Sequence, residues 1–165
     1  MATILPKLKD SLKNSFNICN NYCIDNYQFD FMGEFLLTNS KYFLSKDKVI
    51  YAYENNEYIF AKEVENLSKE YLNQNIFPFI SYALDNIVKT NQNHMSSIVT
   101  LFLSSNSIDP DLKNHIKKYR RRKSYKLGLR GYASTRLILF DNTKQELLYN
   151  SESKDVINFY KEVLK

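Results

Sequence analysis

The chain has no tryptophan, and its 165 residues include only three glycines, three prolines and two cysteines. Each scarcity excludes something. So little Gly and Pro, beside 13 Tyr, 11 Phe and an apolar fraction of 44%, excludes a disordered or low-complexity chain. Gly33, Gly128 and Gly131 are too few and too scattered for a phosphate-cradling loop of the Walker or dinucleotide kind. Cys19 and Cys23 have neither histidine near them in sequence and match no zinc spacing. They read as reduced, partly buried thiols sharing one face of a helix. No apolar run approaches the ~18 residues of a membrane span, and Met1-Ala-Thr-Ile-Leu-Pro-Lys lacks the basic-then-apolar order of a signal peptide. The expectation is a cytoplasmic protein with no cofactor, no metal and no membrane among its partners.

The length fits one domain over residues 1–165. Leu5, Leu8, Leu12, Phe16 and Cys19 recur at helical spacing behind Pro6, which predicts a helix from about Pro6 to Tyr22. From Tyr27 to Glu63 the pattern is aromatic, branched and alternating, which predicts three or four antiparallel strands with turns at Lys46-Asp47-Lys48 and Glu54-Asn55-Asn56-Glu57. A helical stretch from about Val64 to Lys89 is interrupted at Pro78, which predicts two short helices or one kinked helix, with Asn75 a candidate cap of the second half. Ser97-Ile-Val-Thr-Leu-Phe-Leu-Ser is apolar enough for a central strand buried on both faces. Asp109-Pro110 opens another helix. The alternating segment from Tyr125 to Leu129 and that from Tyr132 to Phe140 read as strands, and so does the shorter Gln145 to Tyr149. A last helix covers Val156 to Leu164. The predicted fold class is α+β: a mixed, largely antiparallel sheet with an N-terminal β-meander and helices packed against it.

Charge is the least evenly distributed property of the chain. Nine cations fall between Lys113 and Arg130 with no acid among them, leaving 14 cations against all 18 acids elsewhere. The formal charge of +5 is therefore local. In a chain with 18 Lys and 5 Arg, all five arginines (Arg120, Arg121, Arg122, Arg130 and Arg136) lie within seventeen positions. Arginine supplies a planar bidentate fork for phosphate or carboxylate that lysine lacks. Lys117, Lys118, Arg120, Arg121, Arg122, Lys123, Lys126 and Arg130 are thus the candidate anion-binding residues, with Tyr119, Tyr125 and Tyr132 as candidate stacking platforms for bases. Part of this charge has a simpler use, because cations at a helix C-terminus stabilise it by roughly 0.3–1 kcal/mol each. One or two of the cations are expected to pair with Glu54, Glu57, Glu63 or Glu65. Nucleic acid is the leading expected partner, and an acidic protein or lipid surface would meet the same charge.

Signals for catalysis are weaker. A restriction-nuclease-like fold has this element order, but its metal-dependent chemistry needs an acid where Glu57-Tyr58-Ile59-Phe60-Ala61-Lys62 offers Phe60. Ser96 and Ser97 lie near His94 without a nucleophile elbow. Glu54, Glu57, His94 and Arg136 are the candidate residues of a polar cleft, the basis for an alternative reading as an enzyme or small-ligand-binding protein, a divergent metal-dependent nuclease included.

Four stretches, Lys41-Tyr-Phe-Leu-Ser-Lys, Ala52-Tyr-Glu-Asn-Asn-Glu-Tyr, His94-Met-Ser-Ser-Ile-Val-Thr and Arg122-Lys-Ser-Tyr-Lys-Leu-Gly-Leu-Arg-Gly-Tyr, resemble an uncharacterised family of clostridial and archaeal cytosolic proteins, a domain of unknown function. Tyr132 departs from it where tryptophan is expected. The resemblance implies no activity, but it implies that Glu54, Asn55, Asn56, Glu57, His94, Lys123, Gly131 and Arg136 form one pattern. The overall expectation is a non-enzymatic binding protein with a basic surface for nucleic acid or another polyanion, or else an adaptor subunit.

Overall fold

Alternating apolar and polar side chains in the first half of the chain form a sheet, seen in a computed structural model that describes residues 3–42 and 49–165, with side chains for all of these except 39–42 and 49–53. The expected Lys46-Asp47-Lys48 turn lies outside the described residues. Helix α1 (Leu5–Leu12) buries Leu5, Leu8 and Leu12 and has Pro6 in its first turn. It ends about ten residues before the predicted limit. Asn14, Ser15 and Asn17 are poor helix formers, and Asn17–Ile24 instead form strand β1, antiparallel to β2 (Tyr27–Tyr42). Cys19 and Cys23 are therefore exposed free thiols on a strand, not on a helix.

Strand β3 (Val49–Glu63) runs antiparallel to β2 without a break at Glu54-Asn55-Asn56-Glu57. Phe35, Leu36, Leu37 and Thr38 lie opposite these four on one side, and strand β5 (His94–Ser105) lies on the other. A ladder on both sides holds the Asn pair extended, overriding its local preference for a turn. The expected hairpin is thus the middle of one long strand.

After β4 (Asn66–Leu67), the Ser68 hydroxyl accepts from the Tyr71 amide and caps a continuous helical stretch. It comprises α2 (Lys69–Tyr71), a π-helical turn over Leu72–Ile76 and α3 (Phe77–Asn86). Pro78 does not split it into two helices, because the wider turn absorbs the missing donor. Asn75 donates to the Tyr71 carbonyl within the stretch and caps nothing.

The remaining elements are β6 (Ser107–Ile108), α4 (Leu112–Lys118), β7 (Arg122–Ser124), β8 (Tyr132–Asp141), β9 (Glu146–Tyr149) and α5 (Ile157–Val163). Among the described residues the main sheet runs β1-β2-β3-β5-β8, and β7 and β9 share the outer edge of β8. β7 lies opposite Tyr132–Ser134 and β9 opposite Ile138–Asp141. The β3–β5 and β5–β8 pairs are parallel; β1–β2, β2–β3, β7–β8 and β8–β9 are antiparallel. This is the α+β arrangement with an N-terminal meander.

Helices cover both faces. On one, Leu72, Ile76, Phe79, Ile80, Leu112 and Ile116 meet Phe60, Val99, Leu101 and Leu137. On the other, α1 and α5 bring Leu8, Ile157, Tyr160 and Val163 onto Ile59, Phe102, Ile138 and Phe140. Strand β5 faces both cores, which explains its continuous apolar run.

The segment expected to alternate as a strand from Tyr125 to Leu129 is instead a tight turn leading to Gly131. Lys126 and Leu127 take left-handed backbone angles (φ 47° and 55°), and both leucines leave the core. Gly131 has φ +73°, and a β-carbon there would sit 2.1 Å from the Met95 carbonyl oxygen, whereas at Gly128 (φ +90°) it would meet nothing within 4 Å. Gly131→Ala should therefore destabilise the protein by about 3 kcal/mol or more. Gly128→Ala should cost only about 1–2 kcal/mol, the strain of the angle alone. Urea unfolding of the two variants measures the difference.

Candidate functional site

On α4, Leu112 and Ile116 point into the core, so Lys113 and Lys117, one position on and four apart, share the outward stripe. On α5, Ile157, Tyr160 and Val163 are buried, which turns Lys161 outward. The two helices lie on opposite faces of the sheet, with edge strand β9 between them. They wall an open groove of about 1170 Å³ whose lining includes Leu147, Tyr149 and Leu164. Six cations line it: Lys113, Lys117, Arg120, Lys154, Lys161 and Lys165. The single acid in the lining is Glu146.

The predicted basic segment thus contributes Lys117 and Arg120 to the groove, while its other candidates go elsewhere. Lys118 and Arg121 are exposed outside the groove lining. The Arg122 guanidinium lies 3.8 Å above the Tyr132 ring. Lys123 pairs with Asp85, not with any of the four expected glutamates. Lys126 is on the exposed turn, and Arg130 donates to the Thr90 carbonyl at 3.4 Å. The segment is contiguous in sequence but points in several directions.

Lys154, Lys161 and Lys165 went unpredicted because Glu152, Asp155 and Glu162 dilute the charge of their segment. The fold separates the signs in part, since Lys165 still donates to the Glu162 carboxylate at 3.3 Å. Arg136, buried, draws Asp155 away: its Nη2 donates to the Asp155 carboxylate at 2.8 Å, its Nε to the Glu152 backbone carbonyl at 3.2 Å, and its Nη1 lies 3.7 Å from the Glu57 carboxylate. Only Lys161 of the three lies within α5, with Lys154 before it and Lys165 after it, so no helical period in the sequence brings them together.

One buried side chain joins the two groove walls. The Asn150 amide donates to the Thr135 carbonyl (2.9 Å) and the Tyr119 carbonyl (3.3 Å), and its oxygen accepts from the Leu137 amide (3.0 Å) and the Ser153 hydroxyl (2.7 Å).

Two of the three expected stacking tyrosines are occupied. Tyr119 stacks on Phe77 with centroids 4.6 Å apart and planes within 5°. Tyr125 donates its hydroxyl to the Leu84 carbonyl at 2.6 Å. Burial pushes both hydroxyls up to about 12, with Asp85 and Tyr58 adding to the shift at Tyr125. Tyr132 is exposed, with Arg122 against its ring.

The candidate cleft separates into two places. Glu57 and Arg136 meet on the α1/α5 face. His94 lies at the N-terminal end of β5, its Nε2 2.7 Å from the Ser97 hydroxyl and its Nδ1 against the Arg130 carbonyl. A carbonyl can only accept, so Nδ1 carries a proton, and the neutral ring would then accept from Ser97 at Nε2. Ser97 is only 1% exposed. This pair pins the start of β5 to the turn before Gly131. Beside Ser97 in the ladder, Asn56 is buried with neither amide atom hydrogen-bonded. Glu54 accepts from Asn91 at 2.8 Å. Phe60 fills the core, and among the described residues no three His, Cys, Asp or Glu side chains come together in a way that could hold a metal.

A family model described as Domain of unknown function (DUF8052) matches residues 1–162, and the chain belongs to that family. No curated protein and no solved structure matches it.

Burial of the tyrosines makes stability depend on alkaline pH. Tyr119 and Tyr125 ionise near the ordinary 10.0 when unfolded but near 12 when folded, so above the first value the folded state holds the extra protons. Their contribution is complete below 10 and is lost as pH rises toward 12. Urea midpoints at about pH 9 and about pH 11 should fall accordingly, and Tyr119→Phe should lessen the fall.

Proposed function

We propose that the protein is a non-enzymatic binding protein that holds single-stranded nucleic acid along the groove between α4 and α5. The observation that carries this reading is the convergence of six cations, from segments some forty residues apart, around one groove with a single acid. A rim of ammonium and guanidinium groups suits phosphates, and the apolar floor of Leu147, Tyr149 and Leu164 suits the faces of unpaired bases. Arg120 adds a bidentate phosphate contact at the mouth of the lysine stripe.

Fluorescence anisotropy with a labelled single-stranded oligonucleotide tests it. Affinity should fall linearly with salt on logarithmic axes. The variant K113E/K117E/R120E should lose binding and reduce the salt slope by about 2, at ~0.7 per phosphate contact. K154E/K161E, on the opposite wall, should weaken binding as strongly as a comparable charge reversal on α4. R122E/K126E, outside the groove, should bind as the parent does. Groove variants that bind like the parent would sink the proposal.

The hydrogen bond between His94 and Ser97 favours a second reading, a serine hydrolase. It predicts that Ser97 reacts with a fluorophosphonate probe and that Ser97→Ala abolishes the labelling. An unlabelled protein under conditions that label a control hydrolase would remove this reading.

A further inference from the structure

The groove leaves one feature of the fold unused, the turn between β7 and β8. Leu127 is 102% exposed and Leu129 84%, as open to water as in an unfolded peptide. Leu36, Leu37 and Phe159 are exposed only to 40–46%, so two nearly bare leucines on one turn stand apart and require a reason. They are also held in place. The Gly128 and Arg130 amides donate to the Tyr125 carbonyl, the Tyr125 amide donates to the Gly131 carbonyl, and the Tyr125 side chain is tied to α3. His94 fixes the Arg130 carbonyl from below. Left-handed angles at Lys126 and Leu127, costly for side chains of this size, project the leucines outward. Met95, 44% exposed, lies against Gly131 at the base of the turn and extends the apolar surface.

The surroundings are cationic. Lys126 is exposed within the turn, Arg121 and Arg122 are exposed six and five residues before Leu127, and no acid occurs from Lys113 to Arg130, although Arg122 shares a small cavity with Glu152 and Asp155. Lys123 takes up the nearby Asp85. A symmetric contact with a second copy would oppose these cations to their own kind. Nucleic acid offers phosphates but no aliphatic phase. An anionic bilayer offers both in the required order, headgroup charge outside and acyl chains beneath, and receives a protruding turn without a preformed pocket.

We infer that the Leu127–Leu129 turn is a peripheral docking point for an anionic lipid surface, with the two leucines entering the interface and Arg121, Arg122 and Lys126 meeting the headgroups. No helix of the described residues is long and apolar enough to cross a membrane, and this contact needs none. The expectation of no membrane partner rested on the lack of a spanning run, and a peripheral contact of this kind lies outside that argument. The turn follows β7 at one end of the outer edge of β8 and the groove flanks β9 at the other, so the two activities are separable.

The absence of tryptophan allows a clean reporter. Leu127→Trp should show a blue-shifted emission with phosphatidylglycerol vesicles and quenching by lipids brominated on the acyl chains, and little of either with pure phosphatidylcholine. In vesicle flotation, L127S/L129S should bind about tenfold or more weakly than the parent, with an unchanged melting temperature because neither side chain is packed. K113E/K117E/R120E should still insert its turn, so loss of oligonucleotide binding and loss of lipid binding are read independently. An emission that stays unshifted with phosphatidylglycerol vesicles overturns the inference. So does a shift that depends on protein concentration without lipid, which would mark a contact between copies.

Discussion

The side-chain amide of Asn150 is the interaction on which the arrangement of the groove depends. Along the outer edge of β8, β7 pairs only as far as Ser134 and β9 begins only at Ile138. Between them the strand has backbone groups with no strand to meet. Asn150 fills much of this gap, taking the Thr135 carbonyl and the Leu137 amide, and uses its remaining capacity on the end of α4 and the turn before α5. All four of its hydrogen-bonding positions are used, which is what makes so polar a group tolerable in a fully buried place. The two cationic walls owe their relative position to this one residue.

Charge is sorted by the same region. The turn leading to α5 carries Glu152, Lys154 and Asp155, a mixture whose acids outnumber its one cation. Arg136, near the middle of β8, draws Asp155 and the Glu152 backbone to one side of the sheet edge, and Lys154 lines the other. A buried guanidinium needs these partners to offset its desolvation. Meeting that need removes acid from the groove, so a requirement of the core sets the electrostatics of the surface.

Much of the fold was legible in the sequence, and the failures share a cause. Strand β5 is readable because both its faces are buried, and α4 because Leu112 and Ile116 leave one stripe. The Asn55-Asn56 pair is turn-like in isolation, and only the ladders on its two sides make it extended. Leu127 and Leu129 alternate like strand residues, but two left-handed angles break the strand. Contiguity suggested one basic patch, whereas the end of α4, the start of β7 and the following turn each reorient the chain. Half of the candidate groove was hidden by neighbouring acids, of which Asp155 is drawn off by Arg136 only in the folded chain. Sequence periodicity reports which residues are buried; it does not report which charges converge across an edge.

Both outer edges of the sheet carry an interruption made by an asparagine. On β1, Asn21 adopts φ +48° and has no ladder partner between Asn20 and Tyr22. On the far side, Asn150 separates a strand of three residues from one of four. These interruptions shorten the straight rows of free donors and acceptors on β1 and β8 by which one copy could extend the sheet of another, while β2 continues past the end of β1 from Phe35 to Tyr42. At β1 and β8 the protection against edge-to-edge pairing is thus built into the backbone course of the fold by single asparagines.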